Sequence, residues 1–323
     1  MHIPDGFLDL KTSLAADALA IGALTLALRD ARRTLPPRRV PLLGLAAAFI
    51  FAGQMLNFPV AGGTSGHLVG SVLAAALLGP GAAVIALTAV LVVQCFVFAD
   101  GGVLALGANI FNMGVIGALV GYALYRTVHR QLGGGLRGAI AAAAFASWVS
   151  TVLAAVCCAG ELAVSGTVPW RVAFPAMAGV HMLIGVGEAA ITALVLVAVG
   201  QAHPELIYAP DRSAEGRSGY RTLMGYGLVT AAGLALFLAP FASKLPDGLD
   251  RVAESHGFID AAHNTWATHT PLANYLLPGI PSPAIATALA GLLGTAAVFF
   301  LARWGAYALI PAELEAGRPA DQF

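Results

Sequence analysis

Histidine at position 2, directly behind the initiator methionine in MHIPDGFLDL, sets three nitrogens in a row: the Met1 α-amine, the His2 backbone amide and an imidazole nitrogen. Bound to one ion, they close a five-membered and a six-membered chelate ring in a common plane and leave one in-plane position vacant. A bulky second residue disfavours removal of the initiator Met, and no basic n-region or cleavage site precedes the apolar segments, so the amine is expected to stay on Met1. Binding through a backbone amide requires an ion that displaces the amide proton and prefers tetragonal nitrogen ligation. That points to nickel(II) or copper(II), with cobalt(II) next and zinc less suited. The donor expected at the vacant position is His67, in the Gly-rich stretch NFPVAGGTSGHLVG, which can fold back against the rest of the chain. Such a site binds tightly near neutral pH and weakens on acidification, because protons compete for every donor. Singly, each histidine has a plainer reading, as an untied terminus or a loop side chain; the argument for metal comes from the pair on one face.

Other residues are weaker candidates. His181 and Glu188 in HMLIGVGEAA are seven apart and share one face of a helix, either as a functional polar pair or as a pair that holds a bundle together. Asp5 and Ser65 are candidate hydrogen-bond partners that orient the histidines, and the loop from Asn57 to His67 is expected to constrain the last donor. His256, His263 and His269 form a loose group better read as a solvated loop than as a metal-collecting surface. Energy is not supplied within the chain: its lysines, Lys11 in DLKTS and Lys244 in SKLPD, follow no glycine, so there is no P-loop. Intramembrane acids for an ion gradient are few, Asp17 and Glu188 being the candidates. No GxSxG or HExxH pattern is present.

The elements that must position these residues are helices in a bilayer. With 58 % hydrophobic and 11 % charged residues and a mean hydropathy of +0.80, the chain of 323 residues cannot cover a soluble globule. A formal net charge of zero gives no reason to expect nucleic acid as a partner. Apolar stretches near the length of a membrane span occupy about 13–30, 40–56, 67–80, 81–98, 107–126, 138–160, 173–200, 222–241 and 284–306. The third is short and is broken from the fourth by Pro80 and Gly81. Placing the N-terminus outside puts Arg29, Arg32, Arg33, Arg38, Arg39, Arg126, Arg130, Arg137, Arg212, Arg217, Arg221, Arg303 and Arg318 on the cytoplasmic side. Only Lys11, Arg171, Lys244 and Arg251 remain outside, as the positive-inside rule requires. The expectation is therefore an all-α polytopic membrane protein with an extracytoplasmic N-terminus. It comprises a seven-helix bundle over 1–200, a cytoplasmic linker over 201–221, and a two-helix accessory unit with an extracytoplasmic loop over 222–323. Cys95, Cys157 and Cys158 all lie in apolar runs, where packing is the expected role.

Four motifs in one order carry a family resemblance: MHIPDGFLD, GGTSGHLVG, DGGVLALGANIFNMG and HMLIGVGEA. Together they resemble the CbiM/NikM family, the substrate-specific (S) components of energy-coupling factor (ECF) transporters for cobalt and nickel. The segment LPDGLDRVAESHGF is similar to the PDGLE domain of the accessory N component, so the chain resembles a fused NikMN-type protein over nearly its whole length.

The resemblance implies that Met1 supplies its amine, His2 its amide and ring nitrogens, and His67 the remaining donor. It implies Ni(II) or Co(II) as transported substrate and no catalytic cofactor. It also implies a transmembrane coupling component similar to NikQ or CbiQ, ATPase subunits similar to NikO or CbiO, an ATP-driven importer of ABC type, and location in the bacterial cytoplasmic (inner) membrane. Two positions depart from the family pattern, Val69 in place of Leu and Asp250 in place of the Glu of PDGLE. The competing expectation is an intramembrane metalloenzyme with zinc on His67 and His181 and Glu188 as general base, for which the N-terminus would be dispensable. A metal sensor or scaffold would need an output domain, which the tail PAELEAGRPADQF does not offer.

Overall fold

The computed structural model describes residues 1–36, 39–207, 220–263 and 270–309. Arg38, Arg212, Arg217, Arg318 and His269 lie outside the described residues, as do most of the expected linker and the tail. The first apolar stretch forms α1 (Leu10–Thr34), capped by the Asp9 carboxylate, which accepts the Thr12 N–H at 2.9 Å. Arg32 and Arg33 in its last turn oppose the helix dipole. The buried residues of this helix are all small, Ser13, Ala16, Ala20, Ala27 and Ala31, whereas Leu14, Leu19, Ile21 and Leu26 are exposed. This inside-out pattern suits lipid, where small residues let helices approach closely and large apolar ones meet acyl chains.

After α1 come α2 (Val40–Gln54) and a short antiparallel hairpin, β1 (Phe58–Val60) with β2 (Thr64–Gly66), in which Phe58 lies opposite Gly66. Then follow α3 (Ser71–Leu78) and α4 (Pro80–Val93), which continues through wider π turns to Phe98. A continuous rod is built from α5 (Leu106–Asn109), a π-helical stretch over Ile110–Val120 and α6 (Gly121–Gln131). The bundle ends with α7 (Gly135–Val164) and α8 (Trp170–Ala202). The accessory residues supply α9 (Tyr220–Gly233), extended by π turns to Leu238, the short α10 (Gly248–His256) and α11 (Pro283–Leu309).

Among the described residues, 7 helices are long and apolar enough to cross a membrane, with Val40–Gln54 a shorter apolar helix beside them. The third apolar stretch differs from expectation. Instead of a span over 67–80 it yields the 8 residues of α3, about 12 Å of helix, against about 30 Å of bilayer hydrocarbon. The reason is local: Gly70, at φ +79, starts the helix from a left-handed conformation, and Gly79–Pro80 stops it. Its first residues, 67–70, run as irregular backbone behind the hairpin, and every residue from Thr64 to Ala76 is buried. Irregular backbone at this depth is tolerated because it is enclosed by protein.

The accessory helices do not stand apart. One continuous apolar core contains Met1, Ile3 and Phe7 from the N-terminus together with Leu249, Val252, Phe258, Leu272 and Ala290 from beyond the linker. An aromatic cluster joins Phe51 and Phe98 of the bundle to Tyr275, whose ring lies 4.6 Å from that of Phe98. The three cysteines are free thiols.

Candidate metal centre

The N-terminal segment is threaded into the bundle rather than left in solvent. Ile3 is fully buried, its N–H donates to Asn109 Oδ1 at 2.8 Å, and its carbonyl accepts from Asn109 Nδ2 at 3.1 Å and from the Gly102 N–H at 2.8 Å. The Asp5 carboxylate accepts the Leu104 and Val103 N–H groups at 2.8 and 3.2 Å. Its carboxylate therefore pins the N-terminus to the loop after α4 and bonds neither His2 nor His67, contrary to its expected role.

That anchoring brings the first residue to His67. The Met1 ammonium donates to His67 Nε2 at 2.6 Å and pairs with Asp247 Oδ2 at 2.8 Å. The His2 and His67 rings stack at 5.2 Å with 28° between planes. Two nitrogens bound at about 2.0 Å and at right angles to one ion would stand about 2.8 Å apart, so Met1 and His67 already sit at nearly that separation. Met1 and His67 are 5 % and 6 % exposed, so water is largely excluded.

Hydrogen bonds set each ring's donor atom. The Nδ1–H of His67 donates to its neighbour's carbonyl, Leu68 O, at 3.0 Å, leaving the Nε2 lone pair toward Met1. His2 Nε2 faces Gln94 Oε1 at 3.1 Å, Gln94 Nε2 donates to Gln54 Oε1 at 2.8 Å, and Gln54 Nε2 donates to the Val69 carbonyl at 3.0 Å. A carbonyl only accepts, so each amide in this relay has one allowed orientation and His2 must donate from Nε2. The atom left with a lone pair for an ion is Nδ1, which faces Asp100 Oδ1 at 3.3 Å. This is the nitrogen that closes the six-membered ring of the expected chelate. Burial, reinforced by the neighbouring ammonium, pushes the His67 ring well below its ordinary pKa. Burial also lowers His2, with Asp100 opposing it.

Glu188 holds the loop that carries His67. Its two carboxylate oxygens accept the Val69 and Gly70 N–H groups at 2.6 and 2.9 Å. It is thereby committed to backbone donors, which leaves the metalloenzyme reading without its base. His181, 2 % exposed, donates Nδ1–H to Met177 O at 2.8 Å and lines a cavity of about 10 Å³, shared with Met1, His67, Thr151 and Asp247. That is room for about one water. Asp17, the other acid expected within the membrane, accepts the Gly107 N–H at the start of α5. A much larger cavity of about 310 Å³ lies between α2, α3, α8 and α9, walled by leucines and other apolar side chains and by none of the candidate ligands.

The expected role of Ser65 is also revised. Its hydroxyl and N–H donate to Leu245 O and Pro246 O, both at 2.8 Å, and so reach the PDGLD turn and not a histidine. Asn57 meets the same region through its carbonyl, which accepts the Ser243 N–H at 2.8 Å. His256 and His263 are exposed and stand outside the centre. Among the described residues no three His, Cys, Asp or Glu side chains form a metal cluster; what meets His67 is the Met1 amine.

Asp247 is the residue of this cluster that sequence reasoning missed. It caps α10, Oδ1 accepting the Leu249 and Asp250 N–H groups at 2.8 and 2.9 Å, while Oδ2 takes Met1. Burial would raise its carboxyl, but the ammonium beside it and the Asp250 N–H outweigh burial and hold it well below the carboxylate range. Gln54 and Gln94 were missed as well. The available signal was a lone amide in each of two apolar helices, FIFAGQML and LVVQCFVF, since a buried amide in lipid needs a partner.

Residues 2–206 match the family described as CbiM, cobalt uptake substrate-specific transmembrane region, and residues 221–311 match the PDGLE domain. The chain is 36% identical over 308 residues to a putative fused nickel transport protein NikMN of Archaeoglobus fulgidus, covering 93% of this chain and 96% of that protein. It is 32% identical to the cobalt transport protein CbiM of Geobacter sulfurreducens over 272 residues, 80% of this chain and 75% of that one. A crystal structure of a truncated transition metal transporter superposes with a TM-score of 0.57 at 35% identity, covering 63% of this chain and 100% of that chain. These relatives are transporters, not enzymes, and their likeness agrees with the helices in making this a multi-pass membrane protein. The chain belongs to the CbiM family of substrate-specific transmembrane proteins and carries a PDGLE domain behind it.

Proposed function

We propose that the protein is the metal-capture component of an ATP-driven ECF-type importer, taking up a divalent transition-metal ion, Ni(II) before Co(II). The Met1 amine, the His2 amide and Nδ1, and His67 Nε2 hold the ion. The observation that carries this reading is the 2.6 Å approach of the Met1 nitrogen to His67 Nε2, beside a His2 ring held through Nε2. The ammonium N–H that Met1 directs at His67 Nε2 lies where the ion would join the same two donors. Four nitrogens in one plane, one of them a deprotonated amide, favour Ni(II). Co(II) is the second reading, since the relatives named above include both nickel and cobalt transport proteins.

The N-terminus faces the extracytoplasmic side on this reading, supported by the distribution of basic residues; the count survives the shortness of α3 because the chain still reaches the opposite face there, Gly81 lying beside Ala27 and Asp30 near the end of α1 that carries Arg32 and Arg33. Energy comes from coupling and ATPase subunits of other chains, supported by the missing P-loop. The experiment compares protein with a native N-terminus and protein with one residue added before Met1, each titrated with Ni(II) and Co(II) while the visible spectrum is recorded. One square-planar Ni(II) per native chain, lost on extension, is the expected result. Equal binding by the extended protein would overturn the chelate.

A further inference from the structure

Among the described residues of the accessory unit, one side chain forms an ion pair with the proposed chelate: Asp247, 2.8 Å from the Met1 nitrogen. We infer that Asp247 is a positioning and charge-balancing residue of metal capture. The carboxylate that holds the Met1 ammonium in the empty site neutralises the chelate when a divalent ion takes the proton's place. The inference rests on the N-terminal chelate proposed above.

The argument is one of charge. In the empty site the ammonium and Asp247 sum to zero. A divalent ion on a neutral amine, neutral imidazoles and a deprotonated amide leaves one net positive charge in a buried site. Such a charge is costly without a counter-ion. Asp247 already lies at the amine and supplies the missing negative charge without moving, and it accepts an N–H that a coordinated amine still carries. The other nearby carboxylate, Asp100, serves the opposite end. It faces His2 Nδ1, accepts the Tyr275 hydroxyl at 2.5 Å, and its side chain is more open, 29% exposed against 17% for Asp247.

Several contacts keep Asp247 in place. Its Oδ1 caps α10, and Pro246 O receives the Ser65 N–H, two residues before His67. Gly248 lies so close to α8 that a Cβ there would stand 2.8 Å from His181 Cε1 and from Ile184 Cδ1. One turn of the accessory unit is thus tied to the His67 loop, to α8 and to the amine.

The test is Asp247→Asn in the full chain with its native N-terminus, titrated with Ni(II). Asn caps a helix as well as Asp does and has nearly the same size, so the substitution removes the charge and keeps the cap. The expected result is about a 10- to 100-fold loss of affinity, the range for outer partners of metal ligands, with the square-planar spectrum of the bound ion retained. Glu254→Gln, a charge removed from the exposed side of the same helix, should leave affinity unchanged. Unchanged affinity in Asp247→Asn, with the spectrum present in the unaltered protein, overturns the inference and leaves the chelate standing. Absence of that spectrum in the unaltered protein overturns both. Should the Asn variant not fold, Asp247→Ser, also a capping side chain, gives the same comparison.

Discussion

Gln94 Oε1 receives the Nε2–H of His2 at 3.1 Å, and the direction of that bond is dictated from across the core by the Val69 carbonyl, two residues from His67. The relay through Gln54 couples the two histidines by a path separate from the ring stack. It fixes which nitrogen of His2 faces the centre.

Gln94→Leu should therefore leave the His2 ring free to turn and weaken Ni(II) binding by about tenfold. Isothermal titration of the detergent-solubilised protein measures this. An unchanged dissociation constant would mean that the relay orients nothing.

Removing the acceptor pair on the His67 loop should act on stability as well as on binding. Glu188→Gln leaves one of the two buried N–H groups, Val69 or Gly70, without an oxygen, at a cost of about 1–3 kcal/mol. A lowered thermal midpoint of the metal-free protein, partly recovered by Ni(II), is the expected outcome. A midpoint equal to that of the unaltered protein would count against this account of the loop.

Acidification should destabilise the empty protein through its histidines. His67 and His2 are held below the ordinary value of 6.5, so below that pH the unfolded chain binds protons that the folded one refuses, and stability is lost as pH falls. Asp250 works the other way. Burial, and then the Asp247 charge, push it up to about 7, so its protonation favours the fold as pH drops from there toward its unfolded value of 3.8. Asp250→Asn should remove this opposing trend and make the acid loss steeper, which thermal unfolding from pH 7.5 to 5 would reveal.

Proton release on metal binding follows from the same states. His67 is already neutral, so the protons displaced at neutral pH come from the Met1 ammonium and the His2 amide, about two per ion. Titration in buffers of different ionisation enthalpy gives this count, and a value near zero would exclude amide ligation.

Gly248→Ala should push the first turn of α10 off α8, because the new methyl would overlap His181 and Ile184. Faster Ni(II) dissociation with an unchanged spectrum is expected, read by competition with a chelator.

By itself the sequence determined the class of protein and singled out the donors proposed here. Apolar length and the placement of arginines are one-dimensional quantities, and lipid makes them decisive because each spanning segment must satisfy its own backbone. The proposed chelate could be drawn from sequence for a similar reason: three of its nitrogens lie within two consecutive residues, and covalent geometry alone makes them neighbours. His67 was legible as a residue type in a flexible loop.

What the tertiary structure decided lies in long-range pairings. Asp5 and Ser65, read as partners for histidines, bond instead to Leu104 and Val103 and to Leu245 and Pro246. The apolar run 67–80 became a short helix behind a buried loop, because two glycines and a proline override its hydropathy and Glu188 satisfies the exposed amides. Asp247 reaches Met1 across nearly the whole chain, and no local periodicity records such a pairing. It exists because the accessory helices pack on the bundle and because a buried ammonium needs a carboxylate.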